Sequence, residues 1–367
     1  MSDRNEYPMG RAVDAVFIYS GSGCNECRLS SSGNHAGDGS VAKRCRIMGL
    51  IYTGIDEAGY GPMLGPLCVA RVTMRIAAWE PGDPPPDLWG MLDTCVCKTK
   101  REAKKRIAVG DSKDLKLANS TKTKHPLYHL ERGVLAFLGA RDGKPPITDV
   151  SLQDRLGAQL DDRDWYRSDP IGLPLGVSAE MLGIEANQLR SAMHKRGIEL
   201  LDIQVRVIAE REFNDLYTRH NTKAAATGIA LRELIESAKS IAQEGHESRI
   251  VCDRQSGRTR YAKMLEHLFH DVVTEEESPR ASRYTCDGHT GVLLTPGADG
   301  AYFPVALASM AAKLVRELAM MRFNTYWGGR IPELKPTAGY VQDARRWLSD
   351  TREHITDEQR AEMVRLA

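Results

Sequence analysis

Leu50, Ile51, Tyr52 and Ile55 form a short apolar run that reads as a buried strand, and it closes on Asp56 and Glu57 just before a Gly59-Tyr60-Gly61-Pro62 turn. From Val69 to Ile76 the chain alternates, with Val69, Arg71, Thr73 and Arg75 on one side and Ala70, Val72, Met74 and Ile76 on the other, which predicts a second strand. Val205, Val207 and Ala209 continue the same period after Ile203, and Arg249 to Asp253 reads as a buried strand ending in a carboxylate. Helical spacing falls between and after these strands. Ser178 caps a helix to Arg196 with Met181, Leu182, Ile184, Leu189 and Met193 as its apolar positions. Glu210 to Asn214 opens a second helix, and Asn221-Thr222-Lys223 precedes a third whose stripe is Ala226, Ile229, Ala230, Leu231, Leu234, Ile235 and Ala238. A long helix is predicted from Pro304 to about Phe323, with Val305, Leu307, Ala308, Ala311, Leu314, Val315 and Leu318 among its apolar positions. Strands alternating with helices predict an α/β fold.

Two stretches depart from this pattern. Residues 1–47 lack periodicity, and Ser20 to Ser40 is dominated by small and polar residues, so a disordered N-terminal extension is expected. Cys24, Cys27, His35 and Cys45 have a spacing able to hold zinc, but no apolar set accompanies them to fold around a metal. Met48 stands directly before the first strand and is an alternative start of the native chain. Residues from about 117 to 200 read as an insertion within a catalytic unit spanning 48–350, and 351–367 as a C-terminal helical tail.

Composition narrows the function classes. The 367-residue chain allows about two domains, and with 42% hydrophobic and 27% charged residues it has the make-up of a soluble globular protein. The formal net charge of +1 supplies no global basic field, so a nucleic-acid site has to be a local patch. No apolar run approaches the roughly 18 residues of a membrane span, and no secretory signal is visible. Eight cysteines in this length make no disulfide framework, and Cys68, Cys252 and Cys286 sit in apolar contexts, which points to reduced thiols and a cytoplasmic setting.

The candidate chemistry lies at the strand ends. Burying the neighbouring acids Asp56 and Glu57 is costly unless a cation lies between them, and a divalent metal is the simplest such cation; the plain alternative is a strand end with solvated acids. Asp253 ends its apolar strand as Asp56 does, and in an open α/β sheet such ends converge on the edge where ligands bind. Arg254, Arg258 and Arg260 follow Asp253 and suit phosphate, or else form a basic surface turn. Lys105, Arg106, Lys113 and Lys116 make another basic stretch, a solvated loop or a phosphate contact.

The run Gly-Ile-Asp-Glu-Ala-Gly-x-Gly-Pro-x-x-Gly-Pro, Gly54 to Pro66, resembles the opening signature of type 2 ribonuclease H (ribonuclease HII), a family that cuts RNA embedded in or joined to DNA. Asp111-Ser112-Lys113 is similar to its Asp-Ser-Lys segment, Ser309 to Lys313 to its Ser-Ile-x-Ala-Lys segment, and Gly339-Tyr340 to its late Gly-Tyr, whose tyrosine stacks on the sugar at the RNA–DNA junction. In order, the resemblance covers 50–76, about 109–116, 203–253 and 297–345. It implies a ribonuclease H-like α/β fold, a mixed central sheet flanked by helices, with a C-terminal helical part and the central insertion. It places the third carboxylate at Asp253 and the fourth at Asp299, fourteen residues before Lys313, with Asp287 as a competitor further upstream. It implies a two-metal site for Mg2+ or Mn2+ held by Asp56, Glu57, Asp253 and Asp299, the metals roughly 3.5–4 Å apart. Substrate contacts fall to Gly59, Tyr60, Gly61, Lys113, Arg254, Arg258, Ser309, Lys313 and Tyr340.

The chain departs from the family at Tyr60, where an Arg is usual although the related HIII branch also lacks it, at Arg254, where a Gly is usual, and after Tyr340, where a Thr and a His are missing. These departures leave substrate preference open, and leave Tyr340 either a junction reader or a half-buried tyrosine of the C-terminal part. On a regular strand Asp56 and Glu57 point to opposite faces, and the bend at Gly59-Tyr60-Gly61 is expected to bring Glu57 round. The leading expectation is a monomeric, metal-dependent endonuclease acting on RNA–DNA hybrids or on ribonucleotides in duplex DNA, away from membranes. The alternatives are a nuclease of the same fold with another nucleic-acid substrate and a non-catalytic nucleic-acid-binding protein; four acids facing phosphates disfavour the latter, since without metal they repel the substrate.

Overall fold

The computed structural model describes residues 49–167, 169–242, 246–254 and 257–366. The expected N-terminal extension, and with it Cys24, Cys27, His35 and Cys45, lies outside the described residues. The strands are β1 (Leu50–Ala58), β2 (Leu67–Ile76), β3 (Val96–Cys97), β4 (Ile107–Ala108), β5 (Ile198–Ile208), β6 (Glu247–Asp253), β7 (Val272–Glu277), β8 (Ser282–Cys286) and β9 (Thr290–Thr295). The helices are α1 (Leu88–Met91), α2 (Ser112–Leu115), α3 (Tyr128–Asp142), α4 (Asp149–Leu156), α5 (Ala179–Lys195), α6 (Glu210–His220), α7 (Ala224–Ile241), α8 (Ala262–Leu265), α9 (Phe303–Gly328), α10 (Val341–Asp350) and α11 (Asp357–Met363).

Seven strands form one mixed sheet in the order β5-β2-β1-β6-β9-β8-β7, and β3 pairs with β4 separately. β1, β6 and β9 lie side by side and parallel, while the outer strands join antiparallel. The expected α/β class, a mixed sheet flanked by helices with a C-terminal helical part, is the architecture the chain adopts. Among the described residues no helix is long and apolar enough to cross a membrane.

The pleat of β1 sorts the core. Leu50, Tyr52 and Ala58 pack into the layer made by α3, α5 and α9, whereas Ile55 packs with Val69, Ile250 and the apolar stripe of α7. A Cβ added to Gly54 would stand 2.1 Å from the Val305 nitrogen and 2.2 Å from the Pro304 carbonyl carbon. The absent side chain is what lets the start of α9 lie directly on β1. A third cluster joins Trp165, Phe323, Trp327 and Trp347, uniting the end of α9 with α10.

Some elements differ from expectation. Ser178 caps α5 as predicted, accepting from the Met181 N–H, but Met181 and Ile184 are 52% and 58% exposed. The buried stripe is Leu182, Ala186, Leu189 and Met193, whose helical spacing leaves those two residues off the packed face. Residues 117–200 supply α3, α4 and α5, and α3 is buried continuously from His129 to Ala140. Asp149 of α4 ties this segment to α9, with Arg322 donating to its two oxygens at 2.5 and 2.9 Å.

Candidate active site

Ile55 is opposite Cys252, and Asp253 is opposite Thr295. Because β1, β6 and β9 are parallel neighbours, Asp56, Asp253 and the turn at Ala298–Gly300 reach the same sheet edge. Asp253 Oδ1 accepts from the Ala298 N–H at 2.8 Å, so one carboxylate fixes the turn that carries Asp299. Asp56 and Asp299 are 6% and 9% exposed, buried enough that their charge is not simply solvated. Asp287, the competing fourth acid, sits at the opposite end of β9, where its Oδ1 accepts from the His270 and Asp271 N–H groups (2.8 and 3.0 Å) and holds a turn.

Glu57 corrects one expectation. β1 and β2 stay in register through Ala58, with Asp56 opposite Ala70 and Glu57 opposite Val69. Ala70 belongs to the α9-side core and Val69 to the α7-side core. The pleat therefore continues one residue past Glu57, and the Gly59-Tyr60-Gly61 bend begins too late to swing it round. Glu57 lies on the α7 side, where burial pushes the Cys252 thiol and the Tyr261 hydroxyl up and the Glu57 charge adds to it.

Electrostatically, the acids form one cluster. Burial pushes the Asp56 carboxyl well up, and Glu57, Asp253 and Asp299 add to this against a hydrogen bond from Ser309. Asp253 is raised by burial, opposed by the Ala298 N–H and by Lys113. Asp299 is raised by burial and then by Asp111 and Asp253. For Lys113 burial acts downward, yet Asp111, Asp299, Asp56 and Asp253 outweigh it and push the ammonium up. As placed, no group of three or more His, Cys, Asp or Glu side chains among the described residues is gathered tightly enough to hold a metal ion. The donor chemistry nevertheless fits a hard divalent cation: Asp56 and Asp253 offer carboxylate oxygens from the same face of adjacent strands, Asp299 from the turn beside them, and each resists ionisation without a counter-charge.

α9 lies over this edge. Ser309 and Ser112 are joined by a hydrogen bond of 2.9 Å between their hydroxyls, and Ser309 also bonds Asp56. Lys313 Nζ is 3.0 Å from Glu317 and donates to the Tyr340 hydroxyl at 3.4 Å. Tyr340, 46% exposed, presents its ring beside Lys313 and Arg316 at 5.8 and 5.5 Å. Gly59 has φ +96°, and a Cβ there would meet Arg316 Nε at 2.6 Å and the Pro66 carbonyl oxygen at 2.7 Å. Tyr60 beside it is half-buried, and Gly61 is exposed with open space around it.

Two expected contacts are directed elsewhere. The Arg254 guanidinium donates to the carbonyls of Pro279 (2.7 Å) and Ser278 (2.8 Å) and to Ser282 Oγ (2.9 Å), pinning the β7–β8 turn. Arg258 stacks on Tyr261 at 4.6 Å and donates to the Arg260 carbonyl at 2.9 Å. Neither guanidinium is brought to the carboxylates in this arrangement. Sequence reading quoted Asp111 within the Asp-Ser-Lys segment but gave it no role; it caps α2 by accepting the Lys113 N–H at 2.8 Å and adds its charge to the cluster. It passed over Arg316, fully buried, whose Nη2 donates to the carbonyls of Ala338 (3.0 Å) and Leu64 (3.3 Å). Helical spacing was the signal for Arg316, since Ser309, Lys313 and Arg316 stand at i, i+4 and i+7.

No family model matches the chain, and no curated protein matches it. Among solved structures it is similar to a chain of the PCNA:RNase HII complex from Archaeoglobus fulgidus, with 17% identity, 86% of this chain and 94% of that chain covered and a TM-score of 0.38. It is similar to ribonuclease H2 from Pyrococcus horikoshii OT3, with 15% identity, 84% and 91% covered and a TM-score of 0.37. It is also similar to Bst-RNase HIII in complex with Mn2+, with 16% identity, 92% and 73% covered and a TM-score of 0.37.

Proposed function

We propose that this chain is a divergent ribonuclease H of type 2: a metal-dependent endonuclease that hydrolyses the RNA strand of RNA–DNA hybrids or cuts at ribonucleotides embedded in duplex DNA. The observation that carries this reading is the delivery of Asp56, Asp253 and Asp299 to one edge by three adjacent parallel strand ends, directly beside the Gly59-Tyr60-Gly61 loop. Asp56, Asp253 and Asp299, with Glu57 approaching from the other face of β1, are the groups that would hold Mg2+ or Mn2+. When bound, such ions supply Lewis-acid stabilisation and an activated water for phosphodiester hydrolysis.

The chain's own groups have distinct tasks in this reading. Ser309 orients the Asp56 carboxylate through their hydrogen bond. Lys113, already drawn to the acids, meets a phosphate that enters their field. The backbone of Gly59 to Gly61, open to solvent at Gly61, is the part that would sense the 2′-hydroxyl that distinguishes RNA from DNA, and the exposed Tyr340 ring offers a stacking face for the adjoining sugar. Action as a cytoplasmic monomer belongs to the same proposal.

The test is strand cleavage of three duplexes: DNA carrying one ribonucleotide, a continuous RNA–DNA hybrid, and all-DNA, each with Mg2+ or Mn2+. Cutting of either ribonucleotide-containing duplex, lost in Asp56→Asn, is the expected result. Cutting that survives in Asp56→Asn removes the assignment. Binding without cutting by the native chain would favour the non-catalytic reading.

A further inference from the structure

Residues 98–124 carry ten Lys and Arg against three Asp and Glu, an excess of seven in a chain whose formal net charge is +1. Most of the excess lies in the β3–β4 turn, where Lys98, Lys100, Arg101, Lys104 and Lys105 are all exposed. Among the described residues the one member of the stretch held in an ion pair is Lys116, 3.8 Å from Glu317. The turn's own cations, Lys98, Lys100, Arg101, Lys104 and Lys105, are therefore in no ion pair with a carboxylate among the described residues.

The turn is held in place against the elements of the candidate site. Lys100 Nζ donates to the Asp114 carbonyl of α2 at 2.8 Å, on the same short helix as Lys113. Lys98 stands 4.9 Å over the Trp89 ring; that indole donates to the Val109 carbonyl at 2.8 Å and packs on Phe303, the first residue of α9, at 5.2 Å. Arg132 of α3 donates to the Ala103 carbonyl at 3.1 Å. Through Lys98, Lys100 and the Ala103 carbonyl the turn is thus tied to the start of α9, to α2 and to α3, and its exposed cations make a basic ridge next to α2, the helix that carries Lys113.

We infer that this ridge is an interaction surface for the phosphate backbone of duplex nucleic acid on one side of the cleavage site, holding substrate by sequence-independent charge. The inference rests on the nuclease reading and names a second place where substrate is gripped. A negatively charged cluster alone repels a polyanion, and a fixed row of lysines beside it offsets that repulsion. Its signature is a salt-dependent share of affinity that belongs to this turn and not to total charge.

The test compares two triple variants, each in the Asp56→Asn background to prevent cutting. One is Arg101→Gln, Lys104→Gln and Lys105→Gln. The other, Arg211→Gln, Arg232→Gln and Lys263→Gln, removes the same charge from exposed positions on α6, α7 and α8, the opposite face of the sheet. Binding to a labelled RNA–DNA hybrid of about two helical turns is read by fluorescence anisotropy across a salt series. The ridge triple is expected to bind roughly 10-fold more weakly and to flatten the salt slope by about 2 to 3, while the control triple shifts little. Equal loss in both triples, or no loss in the ridge triple, overturns the inference. Cleavage by the native chain, measured alongside, separates the two ideas. Cutting with an unaffected ridge triple sinks the ridge alone, whereas a native chain that binds no duplex sinks both.

Discussion

At the scale of single residues the carboxylates explain one another's behaviour. Asp56 is buried, and Glu57, Asp253 and Asp299 raise its pKa further, so the metal-free folded state binds the Asp56 proton more tightly than the unfolded state does. The sign follows directly. Stability from this group is complete below the unfolded carboxylate pKa, near 4, and is lost as pH rises through the higher folded value. Asp56→Asn removes that loss. In EDTA at pH 7 the variant is expected to melt at least about 2 °C above the native chain, a gap that closes toward pH 4. Adding Mn2+ should raise the native melting temperature and leave the variant nearly unmoved. A variant that melts lower at pH 7 in EDTA would show that Asp56 is stabilised as an anion by something other than metal. Asp56 and Asp253 were legible because each closes an apolar run, whereas Asp299 was placed by the family resemblance, fourteen residues before Lys313. The destination of Arg254 was not, because the Ser278 and Pro279 carbonyls that receive it come from a hairpin some 25 residues on, which leaves no local trace.

Among the elements, the decisive contact is α9 on β1. Gly54 leaves a space that backbone atoms of Pro304 and Val305 fill, so a methyl group there meets main chain and not a side chain able to rotate away. Gly54→Ala is expected to cost about 3 kcal/mol or more and to lower the urea midpoint steeply, or to prevent folding. Gly61→Ala, where nothing stands within 4 Å, should leave the midpoint unchanged. If both variants unfold alike, α9 does not rest on β1 as described. Element types could be read where the period was clear, as in β1, β2, α5, α7 and α9. Helix α3 could not, because burial on every side from His129 to Ala140 erases the amphipathic stripe that marks a helix in sequence. Strand β7 escaped notice for the opposite reason: Val272–Glu277, at the sheet edge, is largely exposed and ends in acids, so it lacks an apolar alternation.

On the scale of the whole molecule, the distant ends of the described chain meet beneath the signature loop. The Arg365 N–H donates to the Met63 carbonyl at 2.9 Å, its guanidinium donates to the Pro62 carbonyl, and the same guanidinium lies 4.6 Å over Phe213 of α6. Asn214 closes the arrangement, donating to the Val364 carbonyl at 2.9 Å and accepting the Leu366 N–H at 2.7 Å. A separation of 303 residues between Arg365 and Pro62 makes this clamp invisible to any local reading. Burial, followed by the charge of Arg316, depresses the Arg365 pKa to about 10, so the side chain remains cationic near neutrality at a desolvation cost that its contacts must offset. Arg365→Ala removes the guanidinium donor and the packing on Phe213 together, and is expected to lower stability by roughly 2 kcal/mol. The more specific outcome is local. Amide hydrogen exchange should quicken from Gly59 to Gly65, beside the carboxylates, while the β6 and β9 amides keep their protection. Cleavage of a ribonucleotide-containing duplex should fall mainly through a raised KM, because the loop that meets substrate loosens while Asp253 and Asp299 stay anchored to each other through the Ala298 N–H. Exchange that quickens uniformly across the sheet would instead make Arg365 a general stabiliser, with no special hold on the loop.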